Sequence, residues 1–266
     1  MKKYKNIILI TAMKFELEIF CKNLLKYNFI KINIDFLSHD LKRSLYIFKN
    51  DKKFIQIIMI FSGVSEHFLN LKTIFNFLEN NLNDNEATFD INFGYLVGLS
   101  GACNENYKVG TVLEVGKVKF GKDVFVLDKN KKITLLTSDK IMKFDDKKKI
   151  SNLVDIVDME TFFWIKELQD FINLKNIKVF RSISDDLSFK FPETLNDLEI
   201  SKKIFSIISG NLGIFKKEFL SLLFKKVNFN LIKFFVEIKR IVSMKKNFHL
   251  SRKTLTKVLL KEILGK

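Results

Sequence analysis

The sequence predicts a three-layer α/β fold with a mixed, largely parallel central sheet, followed by C-terminal amphipathic helices. Three observations carry that prediction. Apolar runs of strand length alternate with stretches of helical spacing, the order that builds βαβ units. The runs are apolar throughout instead of alternating, as expected of strands covered on both faces. Beyond about residue 198 only helical patterns remain.

"NIILITA" (6–12) is the first such run, and "FELEIFCKNLLKY" (15–27) then switches to helical spacing, with Leu17, Phe20, Leu24 and Leu25 on one side. "FIQIIMIF" (54–61) repeats the pattern, with a turn at "SGVS" and a helix over "EHFLNLKTIFNFLEN" (66–80). "FDINFGYLVG" (89–98) is a third strand running into glycines. "KVGTVLEVGKV" and "VFVLDKNKKITLL" are shorter strands, with the polar "DKNKK" as a hairpin or loop. After "NLVDIVD" comes the helix "METFFWIKELQDFI", with Asp158 placed as its N-cap. "KNIKVFRSIS" supplies the last strand. Segments 216–227, 231–243 and 251–264 are apolar on one side and carry lysines on the other. With no internal repeat and no Gly/Ser linker, the expected organisation is a domain over 1–213 and a basic helical tail over 214–266.

Composition bounds the function. A chain of 266 residues, 47% of them hydrophobic, can bury a real core and is not a disordered sequence. Two distant cysteines, Cys21 and Cys103, form no disulfide framework and have no His or second Cys nearby, which argues against a thiol nucleophile or zinc site and favours a reducing cytosol. No metal site is expected. The apolar stretch Ile7 to Met13 is followed at once by Lys14, Glu16 and Glu18, so it suits a core strand better than a signal peptide. No uncharged stretch approaches the roughly 18 residues of a membrane span. The net charge is +16, and residues 216–266 hold 14 Lys and Arg against 3 Glu, so +11 of it belongs to the tail.

Carboxylates stand where apolar runs end: Glu16 after the first strand, Glu160 after "VDIVD", and Asp185 after "VFRSIS". Strand ends are where an open α/β sheet places its chemistry. Taken alone, Glu16 is an ordinary first-turn helix carboxylate, Asp158 a helix cap and Asp186 a solvated loop residue. His39 and His67 lack partners at metal-ligand spacing. "GYLVGLSG" has no P-loop lysine, and the spacing of Gly94, Gly98 and Gly101 misses the dinucleotide fingerprint.

In combination and in this order, the motifs resemble the nucleoside phosphorylase and nucleosidase superfamily, methylthioadenosine/S-adenosylhomocysteine nucleosidases included, over roughly residues 5–210. "TAMKFE" is similar to that family's strand-"AMEEE"-helix start, which implies that Glu16 is the water-activating glutamate. "DMET" is similar to its "MEA/G" helix start, which implies that Met159 packs on the ribose and Glu160 accepts the ribose hydroxyls. "FRSISD" is similar to "VRAISD", which implies that Asp185 protonates the leaving base, with Arg181 as its arginine. "YKVGTVLEV" (107–115) is similar to the family's glycine strand. The substrate-binding small-residue loop, "GSAGG" in the family, corresponds to "GYLVG" (94–98), so Gly94 and Tyr95 are expected at the substrate. "TSDKI" (137–141) stands where nucleosidases carry "SGDAF", putting Ile141 in the place of the ring that stacks on adenine.

A narrower resemblance is to hopanoid-associated phosphorylase-like proteins. "TAMKFELEIF", "LLTSDKIMKFDDKKKISN…VDMET" and "SISDDLSFKFP" are similar to their segments, and residues 211–264 to their basic, Leu-rich tail. It implies release of adenine from adenosylhopane, a lipid-linked nucleoside of hopanoid biosynthesis.

The expectation is therefore a cytoplasmic enzyme that cleaves the N-glycosidic bond of a purine nucleoside of adenosine type. Hydrolysis and phosphorolysis both stay open, with no cofactor beyond phosphate as a co-substrate, and with a homo-oligomer as the assembly. The tail has the amphipathic pattern of helices that lie on an anionic inner-membrane surface, and equally of helices that pack on the domain or a partner subunit. Specific nucleic-acid binding is disfavoured, since the tail shows no recognition motif. The alternative is a catalytically degenerate member that binds a nucleoside or lipid, or serves as an interaction module.

Overall fold

The computed structural model describes residues 4–32, 45–62, 73–76, 78, 91–185, 187 and 231–265, with backbone alone over 231–242. Everything below refers to these residues. The turn at "SGVS" beyond Ser62, His39, His67, Asp186, the segment 216–227 and the boundary at 213 lie outside them.

The chain enters on β1 (Lys5–Thr11) and turns into α1 (Lys14–Lys26). Three strands follow: β2 (Ile30–Ile32), β3 (Leu45–Asn50) and β4 (Ile55–Phe61). β5 (Ile91–Ala102) is the longest strand. Next come β6 (Val112–Phe120), β7 (Asp123–Val126), β8 (Ile133–Thr137) and a short helix α2 (Phe144–Lys149). β9 (Ile156–Asp158), α3 (Thr161–Leu168), β10 (Ile177–Asp185) and the helix α4 (Leu231–Leu264) complete the order.

One mixed sheet runs β10-β6-β8-β9-β5-β1-β4-β3-β2, with β7 paired to β6. Its spine is parallel: β4, β1, β5 and β10 all point the same way. β10 pairs with both β5 and β6, while β6, β8, β9 and β5 pair in succession, so these five strands close into a ring. The ring and the parallel spine share β5 and β10. The C-terminal ends of those two strands are therefore flanked by elements on every side.

The apolar runs bury both faces. Alternate strand residues point to opposite sides, and Ile8 and Ile10 of β1 join Ile58, Ile60, Leu96, Trp164, Ile165 and Leu168 in one core. Ile7 and Leu9 join Leu17, Phe20 and Leu24 of α1 in the other. The helix expected over 66–80 is represented by residues 73–76, whose Ile74 and Phe75 are buried with Leu78 in the first core.

One connection settles a choice the sequence left open, and another differs from expectation. The hairpin is β6–β7, turning at Gly121 with φ 58°, a backbone region that suits glycine in tight hairpin turns. Of the two forms expected of "DKNKK", hairpin or loop, the structure has the loop, which lets β8 run parallel to β6. The tail segments 231–243 and 251–264 form one continuous 34-residue helix, because nothing between them is Pro or Gly to break it.

α4 is part of the core. Leu255, Leu259, Leu260 and Ile263 are buried with Leu17, Phe20 and Phe180. Ser251 donates to the Ile183 carbonyl, and Arg252 pairs with Glu18 at 2.9 Å. The apolar face of residues 244–264 is thus spent on the domain. No described helix is long and apolar enough to cross a membrane.

Candidate functional site

Glu16 sits in the first turn of α1, immediately past β1. Its Oε2 accepts from the Met13 N–H at 3.0 Å, the reach-back of a capping box, and from the Thr11 hydroxyl at 2.5 Å. Its Oε1 accepts from the Leu99 N–H at 2.9 Å, eighty-three residues away on β5. A helix cap needs the first contact and not the last. A carboxylate has about four acceptor positions; three are filled by protein donors, leaving room for one more.

Arg181, on β10, is 0% exposed. Its Nη2 pairs with Asp158 Oδ2 at 2.6 Å and donates to the Thr161 hydroxyl, and its guanidinium lies 5.1 Å from the Trp164 ring centroid. Trp164 is held in turn by Nε1 donating to Ser62 at 3.0 Å. Arg181 Nε has no hydrogen-bond partner. Gly98, which pairs with Arg181 across the β5–β10 ladder, is what lets the guanidinium in. A Cβ there would collide with Nη1 and lie 3.1 Å from Glu16 Oε1.

Asp158 ends β9 but is not the N-cap residue. α3 begins at Thr161 with Glu160 in the cap position and no side-chain cap bond from it. Asp158 nonetheless accepts the Thr161 N–H at 3.2 Å, and its other oxygen accepts from Thr137 at 2.8 Å. The reason for the shift is Arg181: the carboxylate serves the guanidinium and the helix start together.

Glu160 is buried beside this pair. Burial, with the charges of Asp158 and Glu16 added, pushes its pKa up to about 8, against the pull of Arg181. The shift favours the protonated form of Glu160 more than in an ordinary glutamate. Met159 is half-buried next to it, and its N–H donates to Glu160 at 3.3 Å.

A raised folded-state pKa makes stability pH-dependent. The unfolded chain releases this proton near the ordinary carboxylate value, so stability falls as pH rises from about 4.5 to about 8. Glu160→Gln is expected to gain on wild type over that interval, with little difference near pH 5 and a large one near pH 8. Thermal melts across the range read it; a constant difference would show that Glu160 ionises normally.

Asp185 ends β10 at a second cluster. The ladder to β5 is irregular between Ile183 and Asp185, which sets Asp185 opposite Gly101. Its Oδ2 pairs with Lys147 Nζ, and its Oδ1 accepts from Ser184 at 3.2 Å. A Cβ at Gly101 would fall 2.9 Å from that Oδ2 and closer still to Lys147. Three residues of strand separate Gly98 from Gly101, about 10 Å at roughly 3.3 Å per residue.

The structure thus gathers Glu16, Glu160, Arg181 and, one step along β5, Asp185 at one end of the sheet. It does not bring Gly94 or Tyr95 there. Gly94 pairs with Ile8 and Ile177 inside the sheet, and a Cβ there would meet Ile172 and Leu168. Tyr95 is 3% exposed and stacks on Phe180 at 6.3 Å in the opposite core, which pushes its hydroxyl pKa up to about 12 through burial. The glycines at the site are Gly98 and Gly101. Their signal in the sequence was position, since they lie nearer the carboxyl end of the strand. Ile141 is half-buried on the connection from β8 to α2.

Lys147 is the residue that sequence reasoning missed. It lies in "DDKKK", a run that looks like a solvated charged face, yet it is 4% exposed. Burial pushes Cys21 up to about 11 and Cys103 to about 12.

Among solved structures, the 5′-methylthioadenosine/S-adenosylhomocysteine nucleosidase of Helicobacter pylori with butyl-thio-DADMe-Immucillin-A superposes with a TM-score of 0.55 at 12% identity, covering 98% of this chain and 100% of that one. The MTAN of Chlamydia trachomatis gives 0.54 at 11% identity, with 98% of each chain covered. The fold is that of the nucleosidases. A futalosine hydrolase mutant of Helicobacter pylori shares this nucleosidase fold at a TM-score of 0.51 and 14% identity, covering 77% of this chain and 97% of that one. No protein-family model and no curated protein matches the chain.

Proposed function

We propose that the protein cleaves the N-glycosidic bond of a purine nucleoside. The observation that carries this reading is the grouping at the carboxyl ends of β1, β5 and β10. Glu16, with a free acceptor position, stands against Gly98 beside Arg181, the buried Glu160 shares their charge environment, and a third acid stands about 10 Å on at Gly101. The nucleosidase fold supports it.

The roles follow from the chemistry. Glu160, with Met159 beside it, holds the ribose hydroxyls by donating one hydrogen bond and accepting another. The bond from the sugar carbon to the purine nitrogen breaks, and its electron pair leaves with the base. The Lys147 ammonium passes a proton through the Asp185 carboxylate that it pairs with to the purine, and is left as a neutral amine. Water attacks the sugar carbon and gives its proton to Glu16. Arg181 touches neither reacting atom; it positions Asp158 and α3 and balances the charge of the acids.

Hydrolysis is favoured over phosphorolysis. A phosphate dianion near Glu16 would meet three carboxyl groups gathered about one guanidinium already engaged by Asp158 and Thr161. No cofactor is required. A lipid-linked substrate such as adenosylhopane is the narrower form of this reading, supported by the sequence resemblance of residues 11–20, 135–161 and 182–192 and of the tail. Membrane attachment through the tail's lysines and homo-oligomer formation are further parts of the proposal, the first without the apolar face of residues 244–264, which packs on the domain.

A screen of nucleosides with and without phosphate, scored for freed base, tests the proposal. Base release independent of phosphate is expected, and Glu16→Gln should lower it about 10²–10⁴-fold, the usual scale of general base catalysis. Release that requires phosphate would overturn hydrolysis, and a Glu16→Gln variant with full activity would remove the base.

A further inference from the structure

We propose that Thr11 is a positioning residue for Glu16: its buried hydroxyl fixes which carboxylate oxygen takes the proton of the attacking water. This rests on the cleavage reading above and adds a residue to which the sequence resemblance gives no role.

Thr11 is the last residue of β1 and is 0% exposed. The four residues before it, Ile7 to Ile10, are all apolar, and its partner on β4 is Phe61. A hydroxyl among such neighbours is costly unless it makes a hydrogen bond. Valine has the same branched shape and suits a strand equally well, so the fold alone does not call for the hydroxyl. It donates to Glu16 Oε2 at 2.5 Å.

A glutamate does not choose between its oxygens by itself. The torsion that turns the carboxylate is broad and roughly two-fold, so the donors around it decide. Oε2 accepts from the Met13 N–H at 3.0 Å and from Thr11, which fills both of its acceptor positions. Among the described residues Oε1 accepts only from the Leu99 N–H, at 2.9 Å, so the open position is on Oε1. That oxygen is also the one beside Gly98, 3.1 Å from where a Cβ would stand, on the side of the Arg181 guanidinium. Two of the three donors are backbone groups that any sequence would supply; Thr11 is the one side chain. Without its hydroxyl Oε2 has an open position too, and the base is divided between two orientations, one of them turned away from Gly98.

Steady-state base release, from a nucleoside that wild type cleaves, is the test. Thr11→Val is expected to lower kcat about 10-fold to 100-fold, the scale of a hydrogen bond to a charged group, with KM unchanged. Thr11→Ser keeps the hydroxyl and should stay near wild type. In a Glu16→Gln background Thr11→Val should do no further harm, because its effect passes through that carboxylate. A merely structural role would lower both backgrounds alike. Full kcat in Thr11→Val, a change in KM alone, a Thr11→Ser variant equally impaired, or an equal loss in both backgrounds overturns the proposal. Should Thr11→Val fail to fold, Thr11→Ala, which also lacks the hydroxyl, takes its place. A wild type inert on every nucleoside overturns the cleavage reading and this inference with it, whereas a cleaving wild type indifferent to Thr11 removes this inference alone.

Discussion

Arg181→Met is expected to lower the midpoint of thermal unfolding by roughly 10 °C. The guanidinium is 0% exposed, and its pairing with Asp158 at 2.6 Å is the central contact of a cluster that also holds Glu16 and Glu160. Removing one partner of a buried pair leaves the other charge uncompensated, at a cost of about 3–5 kcal/mol. For a chain of this size each kcal/mol moves the midpoint by about 2–4 °C. Methionine fills much of the volume against Trp164, so the loss reports charge more than packing. Adding Asp158→Asn should recover part of the stability, because the orphaned carboxylate is then gone. Melts of the single and double variants followed by circular dichroism would show it. A single variant melting within about 2 °C of wild type would mean that the pair is not what holds α3 to β10.

Asp185→Asn is expected to reduce base release about 10²–10⁴-fold, since an amide of the same shape cannot take a proton from the Lys147 ammonium and pass it to the leaving purine. The variant also deprives the Lys147 ammonium of its anion, so its melting temperature must be followed alongside its rate. A folded variant that releases base as fast as wild type would end the assignment of Asp185. If wild type and variant are both inert on short and lipid-linked nucleosides, the chain is instead a binding protein of nucleosidase fold, with the Lys147–Asp185 pair a fixed contact.

Much of this site was legible because its residues follow apolar runs. Glu16, Glu160 and Asp185 each stand just past a run that could only be a buried strand. Met159 and Arg181 were placed by the same motifs. The glycines were misassigned for a physical reason. "GYLVGLSG" contains three of them, and composition does not say where β5 meets its partners. The ladder to β10 sets Gly98 against Arg181 and buries Gly94 four residues earlier, about 13 Å away along the strand. Lys147 was hidden for another reason: α2 is short and has no apolar stripe, so nothing nearby marks one lysine among three as buried.

The tail shows the same division. Its amphipathic period is local and predicts a helix, but an apolar helix face looks alike whether it meets lipid, a partner or the domain. The sheet core settled this for residues 244–264 by taking up Leu255, Leu259 and Leu260.

Sequence alone determined the alternation of strands and helices, the two covered faces of the sheet, and the three acids at strand ends, because each depends on hydropathy period or on neighbours in the chain. Only the tertiary structure decided which groups share a charge environment: Arg181 with Asp158 rather than Asp185, Glu160 buried with Glu16 and Arg181, and Lys147 beside Asp185. Electrostatic energies depend on distance and burial, and these contacts are made between residues 20 to 38 positions apart along the chain or farther.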